Sequence, residues 1–113
     1  MKYRIGLDLG GTKLLGVVTD SELKVKHRKK HRLFDRADIF AVMDQIGNVY
    51  EELTNDIKPN EIISAGIALP SPVDNQIGEA KQLTAFKQNN FPVRRELRER
   101  TKVEFKLGND VNM

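Results

Sequence analysis

The pair Gly10-Gly11 lies between two stretches of strand-like sequence and constrains the fold more than any other feature of the chain. From Lys2 to Leu9, Ile5, Leu7 and Leu9 alternate with Arg4, Gly6 and Asp8, which is the period of a strand. Leu14 to Thr19 is a second strand, and two strands across a Gly-Gly turn read as a hairpin. Asp20-Ser21-Glu22 turns the chain again, and Lys24 to Phe34 is read as a polar third strand. Three antiparallel strands therefore open the fold.

The period then changes. Ile39, Met43, Ile46, Tyr50, Leu53 and Ile57 recur at steps of four and three, which makes one apolar face of a helix within Asp35 to Ile57. Asp35 or Asp38 caps its start, and Lys58-Pro59-Asn60 ends it. Ile62 to Leu69 is nearly all apolar, as expected of a strand covered on both faces. Pro70-Ser71-Pro72 stops it, and Asn75 to Asn90 is loop-rich and yields no assignable element. Pro92 opens a short charged helix to about Thr101, because proline is tolerated in a first turn. Val103 to Leu107 is a last strand, and Gly108-Asn109-Asp110 reads as a strand end passing into a helix. The order βββαβαβ implies an α/β fold with a mixed sheet and flanking helices. The 113 residues allow one domain or one lobe, and Met113 falls where an element should start, so a truncated chain is expected.

Composition excludes several classes. With 39% hydrophobic and 31% charged residues the chain is neither a disordered tail nor a membrane protein, and no apolar run approaches a bilayer span. Met1 to Gly6 lacks the apolar core of a signal peptide. The absence of cysteine excludes disulfides and thiolate metal sites, and is compatible with a reducing cytosol. A net charge of +3 is mild; it favours phosphate-bearing ligands without being a nucleic-acid signature.

Two constellations carry chemistry. In Asp8-Leu9-Gly10-Gly11-Thr12-Lys13 the glycines let backbone amides approach a phosphate, Thr12 adds a hydroxyl, Lys13 a cation, and Asp8 an oxygen for Mg²⁺, directly or through water. This is no P-loop, since the order of lysine and threonine is inverted and a strand follows. The same residues also suit an ordinary hairpin turn. Asp110 stands at a strand end where open α/β sheets bind ligands, placed either to take a proton from a hydroxyl or to cap the next helix. Asn109 both donates and accepts, which suits a sugar hydroxyl.

Other charged runs read as surface. Lys24 to Arg36 suits a solvated edge strand better than a nucleic-acid patch, because only Phe34 is available to stack a base. His27 and His31 share a strand face but lack a third metal ligand. Arg94 to Lys102 reads as an exposed helix face.

Four segments in order resemble the ROK family (repressor, open reading frame, kinase), sugar kinases and sugar-responsive repressors of the actin-like ATPase superfamily. They are Ile5 to Lys13, Gly66 to Asp74, Phe91 through Leu97, and the Asn109-Asp110-Val111-Asn112 box. The resemblance implies the N-terminal lobe, residues 1–113, of a two-lobed cytoplasmic kinase with a ribonuclease H-like, five-stranded mixed sheet. It implies that Gly10, Gly11, Thr12 and Lys13 hold ATP phosphates, that Asp8 helps place Mg²⁺, that Asn109 binds sugar hydroxyls and that Asp110 is the base. Ser71 falls in the sugar loop where the family usually has glycine, Gly108 replaces a common glutamate, and the family's Asn-Leu sugar contact is not recognisable around 81–86, so the sugar stays open. The implied partners are sugar, ATP, the chain's own C-terminal lobe, where a zinc motif would also lie, and further copies of the full-length protein. No nucleic acid or membrane is expected. The alternatives are a sugar-responsive regulator without its DNA-binding domain and a non-catalytic sugar-binding module.

Overall fold

Leu9 and Leu14 meet across the turn that the glycines make. The computed structural model describes residues 1–109 and pairs β1 (Tyr3–Leu9) with β2 (Lys13–Asp20) in antiparallel register from Leu9↔Leu14 to Tyr3↔Asp20. β3 (Val25–Arg32) adds antiparallel to β2 and forms one edge of the sheet. Helix α1 (Ile39–Thr54) starts at Asp38, whose Oδ1 accepts the Phe40 amide at 2.9 Å; such a cap is worth about 1 kcal/mol. Of the two aspartates able to cap, Asp38 does so; the helix begins at Ile39, the first residue of its apolar period, and ends at Thr54, three residues before Ile57.

β4 (Ile62–Leu69) returns parallel to β1, and β8 (Lys106–Asn109) lies parallel to β4, giving the order β3-β2-β1-β4-β8. This is the expected five-stranded mixed sheet. α1 and α2 (Val93–Thr101) cover one face of it, over Leu7, Leu14, Val18, Ile67, Phe105 and Leu107, all buried. α1 approaches so closely at Gly16 that an added Cβ would stand 2.6 Å from Leu53 and 2.9 Å from Leu7. His27 and His31 turn toward this helix: His27 Nε2 lies 3.1 Å from Asp56, and His31 Nε2 lies 3.6 Å from Glu52.

Three expectations need correction. β4 is not covered on both faces: Ala65, Ile67 and Leu69 are buried, whereas Ile63 and Ser64 are exposed and Gly66 and Ala68 half-buried. The loop-rich stretch over 75–90 carries most of a second sheet, β6 (Glu79–Leu83) and β7 (Gln88–Phe91) with a 3₁₀ turn at Thr84–Phe86 between them, and β5 (Val73–Asp74) pairs with β6 from just before it. These strands are too short and polar to show an alternating period. The charged helix α2 is more than a solvated face: Glu96 is 9% exposed, and Arg100 donates from Nε to Asp44 of α1 at 2.7 Å and from Nη1 to Glu96 at 3.0 Å. Among the described residues no helix is long and apolar enough to cross a membrane.

Candidate active site

Parallel pairing aligns the carboxyl ends of β1, β4 and β8. Asp8, Ala68 and Gly108 fall in one register line across the three strands, and Leu69 pairs with Asn109. Ligands of open α/β sheets bind beyond such ends. Asp8 points away from the helices, on the face it shares with Gly6, Gly66, Ala68 and Gly108. Gly66, Ala68, Lys106 and Gly108 line a hollow of about 270 Å³ there, and Asp8 on the neighbouring strand is half-exposed. The oxygen chemistry fits a water-rich Mg²⁺, which takes one or two carboxylates and keeps several waters.

Beyond Asp8 the chain turns through Gly10 and Gly11, closed by a bond from the Gly10 amide to the Lys13 carbonyl at 2.9 Å. Both glycines are half-buried, and Thr12 and Lys13 are exposed. A Cβ on Gly11 would touch only Ala85, at 3.8 Å, so the 3₁₀ turn Thr84–Phe86 sits against the hairpin. On the other side, Thr12, Lys13, Arg32, Leu33 and Arg36 line a groove of about 400 Å³. None of its three cations joins an ion pair among the described residues. Positive charge beside a glycine turn is suited to a phosphate.

Asn109 ends β8 and is exposed. Asp110 lies outside the described residues. Ser71 is 1% exposed, and its hydroxyl donates to the Pro72 carbonyl at 2.7 Å and accepts the Gln82 amide at 2.9 Å. It thus braces the loop against β6. Two residues that carried no sequence signal stand behind the site. Asn75 bonds Leu107 of β8, and Arg94 holds Asn75. Asn75 lay in a stretch read as loop-rich, and Arg94 in a charged run read as surface.

A larger cavity of about 690 Å³ lies between the ends of α1 and α2, lined by Tyr50, Ile57, Ile63, Arg100 and Val103. It opens at the start of β4, away from the carboxyl ends of the parallel strands and from every residue of the hairpin. Among the described residues no group of three or more His, Cys, Asp and Glu stands close enough to hold a metal.

Comparison with known proteins gives the family and the fold. The ROK family model matches residues 4–113. Comparison with curated proteins returns no match. Among solved structures, a ROK family glucokinase from Streptomyces griseus, in complex with glucose and AMPPNP, superposes with TM-score 0.83 at 20% identity over 97% of this chain and 34% of that one. A ROK hexokinase from Thermus thermophilus gives TM-score 0.79 at 26% identity, over 97% of this chain and 36% of that one. A ROK family transcriptional regulator, a homologue of the E. coli MLC protein, gives 0.76 at 19%, over 96% and 28%. The chain thus spans about a third of the length of the structures it resembles. The family model covers all but the first three residues, and the chain belongs to the ROK family.

Proposed function

We propose that this chain is the N-terminal lobe of an ATP-dependent sugar kinase and is inactive without a second lobe. The observation that carries this reading is the line Asp8–Ala68–Gly108, which puts the glycine hairpin and Asn109 at one end of the sheet. In this reading the hairpin amides and Lys13 hold the phosphates of ATP, with Arg32 and Arg36 adding positive charge alongside. Asp8 would hold Mg²⁺, directly or through water, and such an ion would supply positive charge against the phosphates. Asn109 binds sugar hydroxyls. Asp110 takes the proton of the attacking hydroxyl as its oxygen bonds to the terminal phosphorus. Ser71 shapes the sugar loop through its internal bonds. Retention of carboxylates at both 8 and 110 favours catalysis over plain sugar binding, because a binder needs no base.

The test is Asp110→Asn in the full-length protein. Asparagine caps a helix about as well as aspartate, so a cap role predicts little change. A base role predicts a kcat loss on the order of 10² to 10⁴ with the melting temperature nearly unchanged. Near-normal kcat removes Asp110 as the base.

A further inference from the structure

β8 is an edge strand, and its outer edge carries a side chain in place of a neighbouring strand. The Asn75 amide donates from Nδ2 to the Leu107 carbonyl at 2.6 Å, and its Oδ1 accepts the Leu107 amide at 2.9 Å. Leu107 is 3% exposed, so without Asn75 both backbone groups would be buried unpaired, at about 1–3 kcal/mol each. Arg94 fixes Asn75 in turn: Nη2 donates to Asn75 Oδ1 at 2.7 Å, Nη1 to the Asn75 carbonyl at 2.6 Å, and Nε to the Phe105 carbonyl at 2.8 Å. The fork therefore grips the turn and the approach to β8 together. Gly78 makes room for it, since at φ +73° a Cβ would lie 2.6 Å from Arg94 Cβ.

Leu107 is two residues from Asn109 and three from Asp110. We propose that Asn75, locked by Arg94, is a positioning residue that holds β8, and with it Asn109 at its end, in register with the hairpin. Asn75 itself touches neither sugar nor phosphate in this scheme. This role rests on the kinase reading above. A loosened β8 lets its end at Asn109 drift relative to the hairpin, and displacements of about 1 Å cost up to 10²-fold in rate.

The test has two arms. In the full-length kinase, Asn75→Ala lowers kcat per folded molecule by about tenfold to a hundredfold, while the KM for ATP, set at the hairpin, stays within about twofold. Arg94→Lys keeps the charge but loses the fork, so it shifts kcat in the same direction and serves if Asn75→Ala folds poorly. Combined with Asn75→Ala, it adds little beyond the larger single loss, because the two act through one path. In the 113-residue chain, the Leu107 amide exchanges faster in Asn75→Ala while those of Ile5 and Leu7 stay protected. Normal kcat in both single variants, or a kcat loss that comes with a matching rise in KM for ATP, overturns the role and leaves the kinase reading standing. Unchanged exchange at Leu107 overturns it too. Absence of turnover in the unsubstituted protein sinks the kinase reading and this role with it.

Discussion

Ser71 and Gln82 are joined by a hydrogen bond that engages the serine hydroxyl as acceptor, the Gln82 amide donating to Oγ at 2.9 Å, while the same hydroxyl donates to Pro72. Ser71→Ala is therefore expected to lower stability by about 1 kcal/mol, since the Gln82 amide loses its acceptor while the Pro72 carbonyl still accepts the Lys81 amide at 2.8 Å. The KM for sugar in the full-length protein should stay within about threefold. Urea unfolding and sugar kinetics on one preparation measure both. A large rise in KM with unchanged stability would put the hydroxyl on the sugar.

Lys13 is exposed at the end of the hairpin, on the rim of the cationic groove. Lys13→Ala in the full-length protein is expected to raise the KM for ATP by about tenfold, the worth of one charge-assisted contact. Sugar binding should change little. Titration with each ligand separates the two, and loss confined to sugar binding would mean that the hairpin does not face the phosphates.

Asp56 carries a built-in dependence on acid. The hydrogen bond from His27 holds its carboxyl below the ordinary aspartate value of 3.8, with the charge of His27 and of Lys26 acting in the same sense. A group depressed in the folded state adds stability that is full above its unfolded value and is lost as pH falls through the folded one. Asp56→Asn should thus remove a stability difference that is present at neutral pH and fades below 3.8. Melting curves across that range check the sign; a gap that widens toward acid contradicts it.

Tyr50 is 5% exposed, packs edge-on against Phe105 with ring centroids 5.7 Å apart, and has a hydroxyl without a hydrogen-bond partner among the described residues. Removing an unpaired buried hydroxyl is neutral or favourable, so Tyr50→Phe is expected to keep or raise the melting temperature. Burial pushes the phenol above its ordinary value of 10.0. Its contribution is full below that value and is lost as pH rises, because the unfolded chain ionises first. The phenylalanine variant should lose less stability than the parent above pH 10. A variant that melts lower at neutral pH would show that the hydroxyl is bonded after all.

The site was legible in the sequence where its chemistry is local. Asp8 to Lys13 and Asn109 lie in short contiguous runs at strand ends, and both runs come to the same end of the sheet. Ser71 was read by its place in a loop, but its environment comes from Gln82, eleven residues on. The supports were not legible. Asn75 reaches Leu107 across 32 residues, and Arg100 reaches Asp44 across 56. Such contacts join single polar residues and leave no period.

By itself, the sequence determined the elements whose apolar residues repeat. The alternation before Gly10 made β1, the steps of four and three made α1, and the prolines and glycines placed the turns, because each of these rests on geometry within a few residues. Tertiary structure alone decided the strand order, the close approach of Leu53 to Gly16, the exposed face of β4 and the second sheet over 73–91. Each depends on what another part of the chain brings alongside. A short polar strand such as Gln88–Phe91 pairs only because β6 is already in place beside it, and a backbone edge such as Leu107 is satisfied only by a side chain folded back from far away.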